Sequence, residues 1–140
     1  MSIFRILRTR NECLVVHDRN GDGIYNQGDQ LGLRDSRGRE LGPERAAGLL
    51  RRLTGADSIA PRTNLLLFRS FASAASAFRS AARSGSTDDL SGLEERMRET
   101  AEGAGVTLDE AEIERLSEDS IFRADDGPVA ERPQGSRRRR

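Results

Sequence analysis

The chain has no lysine and no tryptophan, and only one cysteine, one histidine and one tyrosine among its 140 residues. Each shortage removes a class of chemistry. Without lysine there is no phosphate-loop lysine, no kinase lysine and no amine for a Schiff base, so nucleotide-dependent and imine chemistry of those kinds is not expected. Cys13 stands alone, which excludes an internal disulfide and a cysteine-rich zinc site. His17 and Cys13 together supply at most half of a zinc shell. A Ser–His–acid triad is formally available, but no Gly-x-Ser-x-Gly elbow accompanies the histidine. No acid, base and nucleophile set assembles in the sequence, and the chain reads as non-enzymatic.

Apolar material is scarce as well. Hydrophobic residues make up 35% and aromatic residues 4% of the chain, which predicts a small core. No apolar run approaches the length of a transmembrane span, and "MSIFRILRTRNECLVV" lacks the apolar stretch of a secretory signal. The default location is cytoplasmic, with export by a route that needs no cleaved signal left open. Neither charge sign prevails. The 23 basic residues, all arginine, balance 23 acidic ones, so there is no global attraction to nucleic acid, membrane or acidic partners. Nucleic-acid binding is not expected, since few aromatic residues could stack on bases.

The length favours one domain over residues 1–124, with a β-rich segment at 1–41 and helices over 42–124. "CLVV" (Cys13 to Val16) is a compact β-prone run. Leu31 and Leu33 alternate with Gly32 and Arg34, as in a half-buried strand. "DSRG" (Asp35 to Gly38) is a turn, after which "REL" returns as a short strand. A helix from Ile3 to about Leu14 is the competing reading of the N-terminus. "GPERAAGLLRRL" predicts a helix with Pro43 at its first position, Glu44 in the first turn and Gly55 past its end. The longest periodic segment is residues 63–83, where Leu67, Phe71, Ala74, Phe78 and Ala82 fall on one stripe. Arg69, Ser73, Ser76, Arg79 and Ser80 are expected largely off it. Ser91 before Glu94, and Thr107 before Glu110, have capping-box spacing and predict two more helices. Leu108, Ile113 and Leu116 form a thin apolar face on the second. From Asp125 onward the chain is rich in Pro, Gly and charge and reads as a disordered tail. The expected class is therefore α+β.

One stretch looks selected for chemistry. In "HDRNGDGIYNQGD", residues 17–29, three aspartates and two asparagines alternate with glycines. Counted from Asp18, oxygen-bearing side chains fall at positions 1 (Asp18), 3 (Asn20), 5 (Asp22), 9 (Asn26) and 12 (Asp29). Gly23 occupies position 6, and Ile24 at position 7 offers its carbonyl. A hard cation needs about six to eight oxygens, and glycine at position 6 permits the sharp turn that gathers them. Arg19 and Gly21, between the ligand positions, are expected to face outward.

On these residues, positions 18–29 resemble an EF-hand calcium loop of the dockerin-type variant, with Asp in place of Glu at the last position. The resemblance covers twelve residues. It implies calcium ligation by Asp18, Asn20, Asp22, Ile24, Asn26 and Asp29, with magnesium as a competitor. It does not extend to the EF-hand helices, because "CLVV" and "LGLRD" on either side read as strands. A dockerin carries two such loops and this chain carries one, with Gln27 and Gly28 where partner-reading hydroxyl residues would stand. The expected role is a structural calcium site. The alternative is an interaction or adaptor protein that uses the Ala-rich helix 63–83 or the Arg-rich tail. That helix is expected to be the main core element, with a face for a partner helix or a membrane interface as the alternative.

Overall fold

The alternation of "ECLVVHD" places Leu14 and Val16 on one side of a strand and Cys13, Val15 and His17 on the other. In a computed structural model describing residues 2–85 and 89–126, with side chains through Asp119, this is the central strand β2 (Glu12–Asp18). It pairs antiparallel with β1 (Ser2–Arg8) and with β3 (Gln30–Asp35), giving the order β1-β2-β3. Four helices follow: α1 (Pro43–Thr54), α2 (Leu65–Ser84), α3 (Leu90–Ala104) and α4 (Glu110–Asp126). The class is α+β.

The N-terminus is a strand and not the competing helix. Its register shifts between Arg5 and Leu7, where a bulge adds Ile6 to the core side. One extra residue turns strict alternation into neighbouring apolar pairs, which mimic helical spacing. The returning "REL" forms no strand. An isolated bridge between Arg34 and Glu40, with bonds from the Asp35 N–H to the Arg39 carbonyl and from the Leu41 N–H to the Leu33 carbonyl, covers that edge of β3.

The helices cover one face of the sheet. Pro43 opens α1 and Gly55, with φ 79°, closes it by donating to the Arg51 carbonyl. Asn64 caps α2 by accepting from the N–H groups of Leu66 and Leu67. The helix starts two residues later than the periodic segment predicts. Phe68, Phe71 and Phe78 are fully buried, whereas Leu67 is 44% exposed, so the buried stripe is displaced from the predicted one at its start. Arg79, expected off the stripe, is buried. Both predicted capping boxes give way to other residues. Ser91 lies inside α3, which begins after Asp89, and Asp109 rather than Thr107 accepts the Glu112 N–H at the start of α4.

Sheet and helices share a single cluster of buried residues running from Ile6, Leu14 and Leu33 through Leu50 and the α2 phenylalanines to Met97 and Ile113. Leu108 and Leu116 pack against its margin. Helix α2 is the centre. It packs on β1, α1, α3 and α4, while α1 lies under β2 and β3. No helix among the described residues is long and apolar enough to cross a membrane. Helix α4 runs two residues into the segment read as a tail, and residues 127–140, with the arginine run, lie outside the described residues.

Candidate metal centre

The loop of residues 18–29 joins β2 to β3. The last ladder pair before it is His17 with Gln30, so two hydrogen-bonded strands fix its ends. Asp18 closes β2 and is only 2% exposed. Its Oδ1 accepts the Gly21 N–H at 3.1 Å and its Oδ2 the Gly23 N–H at 2.7 Å. Gly21 and Gly23 both have positive φ, 69° and 76°, which lets the chain curl over the carboxylate. Asp22 is exposed. It accepts the Ile24 N–H at 3.1 Å and the Asn26 amide at 2.7 Å. These bonds, that from Ile24 first, hold its carboxyl below the ordinary value of 3.8. Asp29 closes the ring of contacts, accepting from the N–H groups of Arg19 at 2.9 Å and Asn26 at 2.8 Å. Asn26 therefore links Asp22 to Asp29.

The six sequence-predicted donors all lie on this one hairpin connection. The Asn20 side chain is exposed and makes no hydrogen bond among the described residues, and nothing described there donates to the Ile24 carbonyl. The oxygen chemistry of the set suits a hard cation. Its arrangement is closed on itself instead, with every carboxylate turned to N–H donors. Among the described residues no three His, Cys, Asp or Glu side chains are gathered as a metal-holding group. Arg19 lies outside the ring, across Gly28, where a Cβ would meet its guanidinium at 3.1 Å.

A second segment holds the loop from the side. The Tyr25 N–H donates to the Thr63 carbonyl, the Arg62 N–H to the Tyr25 carbonyl, and the Leu65 N–H to the Gly23 carbonyl. The loop is thereby tied to the residues that start α2. Nothing in the sequence signals this contact, because its partners are far apart along the chain. Burial, followed by the charge of Asp29, raises the Tyr25 phenol.

His17 and Cys13 are on the same sheet face but about 13 Å apart along the strand, with Val15 between them. The histidine Nε2 lies 2.8 Å from Glu40 Oε1, and its ring crosses Gly32, where a Cβ would stand 2.8 Å from that nitrogen. Among the described residues no hydroxyl or thiol bonds to His17. Comparison with protein-family models, with curated proteins and with solved structures finds no match to this chain.

Proposed function

We propose that residues 18–29 hold one calcium ion and that the ion staples the β2–β3 hairpin to the start of α2. The observation that carries this reading is the setting of Asp18. A carboxylate is buried at the mouth of a glycine-rich loop, locked by N–H groups from positions 4 and 6, in the spacing a calcium loop uses. Asp18, Asn20, Asp22, Asn26, Asp29 and the Ile24 carbonyl would be the ligands. Asn20 and Asp22 would turn inward, and both are exposed and free of packing that resists rotation. The Asp22–Asn26 bond would be exchanged for the ion. The cation would neutralise three carboxylates that otherwise repel one another within one loop.

With three carboxylates, and the shorter Asp at position 12, the dissociation constant is expected at about 10⁻⁵ to 10⁻³ M, with magnesium competing for a six-oxygen shell. Calorimetry on chelator-stripped, folded protein tests this. Absence of heat at millimolar calcium rejects it. An interaction role is the second reading. It is favoured by Leu66, 55% exposed beside Leu67 on the first turn of α2, since most other apolar side chains of that helix are committed to the core.

A further inference from the structure

The helical layer is one strand wider than the sheet. Helix α2 lies under β1, and α3 packs along α2 on the side away from α1, with no strand packed over it among the described residues. The space where a fourth strand would lie is a groove of about 510 Å³ beside β1. Leu7, Ala74, Ala77 and Leu93 give it an apolar lining. Arg8, Arg69 and Arg96 also line it, and no acidic residue does. The other edge of the sheet is covered by residues 39–41, whereas β1 pairs only with β2. Its outward N–H and C=O groups are therefore a template for a further strand.

The outer face of the same edge has the same character. Val15 is 2% exposed and forms the floor of a second groove, of about 390 Å³, walled by Arg5, Arg8, Arg10 and Arg34. The acids lining it are Glu12 and Asp35, and Asp35 is held by Arg39; Glu40, on the same face, pairs with Arg34 and His17. Arg5, Arg8, Arg10 and Arg96 make no ion pair among the described residues. Arginine thus stands on both sides of an open strand edge, over an apolar floor.

We propose that the free edge of β1 docks an extended segment of another protein, in which apolar residues alternate with acidic ones, as a fourth strand over α3. Main-chain bonds to β1 supply affinity and alternate side chains supply selectivity. Apolar side chains would fill the inner groove over Leu7 and Leu93. Carboxylates would reach Arg5 and Arg8 on the outer side and Arg96 at the inner margin. Charge sets aside two other occupants. Residues 127–140 of this chain carry five arginines against one glutamate, the same sign as the groove. A second copy paired through β1 would bring Arg5 and Arg8 of both chains together.

The test uses the full chain and a capped synthetic peptide alternating valine and glutamate, of the length of β1, followed by amide shifts and hydrogen exchange. Supporting results are saturable binding and new protection of the β1 amides that point away from β2. Charge reversal at two exposed sites, Arg8→Glu with Arg96→Glu, should weaken that peptide about tenfold or more and gain a valine–arginine peptide, without loss of fold. No binding at millimolar peptide, or shifts centred away from β1, overturns the proposal. So does equal competition by oligothymidine, which would mean that the edge reads negative charge alone. Concentration-dependent dimerisation that protects the same amides also overturns it, by assigning the edge to a second copy.

Discussion

Asp18 and Asp22 share one loop and meet opposite surroundings. Asp18 is buried and already bonded to two backbone N–H groups, so its position precedes any ion. Asp22 is exposed, and its carboxylate is held only by bonds from Ile24 and Asn26 within the loop. Asp22→Ala should therefore weaken calcium binding by at least about tenfold, the loss of one charged ligand, while Arg19→Ala leaves it unchanged or slightly tighter. Calorimetry on both variants checks the register. Equal binding by both would mean that Asp22 is not a ligand. The same carboxyl predicts an acid transition. Its folded value lies below 3.8, so the bonds from Ile24 and Asn26 are complete above that pH and are lost as pH falls through the lower folded value. Because the group is exposed, the loss is local, and the Ile24 amide shift should report it below pH 3.8 without global unfolding. Asp35 behaves with the same sign, its carboxyl lowered chiefly by the Arg39 N–H. An Ile24 amide that moves only above pH 3.8 would contradict the arrangement.

Between elements, the contact with the greatest leverage is one the sequence conceals. Arg79 is on α2, its side chain 7% exposed, and its Nη1 lies 2.8 Å from Glu112 Oε1 on α4. Its guanidinium also presses on Gly55, the left-handed cap of α1, leaving no room there for a Cβ. Three helices meet at this one cation. Glu112→Gln should destabilise the fold by about 2 kcal/mol, less than the 3–5 kcal/mol of a fully buried pair because Glu112 keeps some solvent contact. Arg79→Met with Glu112→Leu should recover most of that loss, since both desolvated charges disappear together. Urea unfolding of the two variants measures the difference. A double variant less stable than Glu112→Gln would show that the guanidinium contributes through its contact with Gly55 rather than through its charge.

Periodicity cannot reveal such a residue. It assigns Arg79 to the polar side of α2, and only the arrival of α4 makes that side an interior. Leu67 errs in the opposite sense, because no element covers the first turn of α2. The strand β1 is hidden by its bulge, which sets Ile6 beside Leu7 on the core side and so leaves Ile3, Ile6 and Leu7 at the i, i+3, i+4 spacing of a helix. Ser91 and Thr107 had the right chemistry for caps, but Asp89 and Asp109 lie nearer the true helix starts. Where local chemistry alone decides, as at Pro43 and Gly55, sequence and structure agree. In the loop, the oxygen-bearing residues are local and their spacing is read from the sequence, whereas the N–H bonds that close it and its long-range ties to Thr63 and Leu65 leave no trace there.

At the scale of the whole molecule those ties decide what an ion in the loop can do. Calcium sensors open because a helix flanks the loop on each side and swings when the last ligand engages. Here β2 and β3 hold the two ends in register with β1, and the middle of the loop is bonded to residues 62–65. A swing would break the sheet ladder and the start of α2 together. Differential affinity for the folded state then appears only as stability, about 2.7 kcal/mol at a calcium concentration a hundred times the dissociation constant. For a chain of this size that corresponds to roughly 10 °C in melting temperature. A melting curve paired with a hydrophobic dye, each with and without calcium, separates the outcomes. The staple raises the melting temperature and leaves dye binding by the folded protein unchanged. A calcium-dependent rise in dye binding would mean that α2 moves with the loop and exposes its phenylalanines, which makes the site a switch. An unchanged melting temperature at saturating calcium would mean that the N–H donors already satisfy the carboxylates as well as a cation does, and that the loop is a hairpin connection closed by its own backbone.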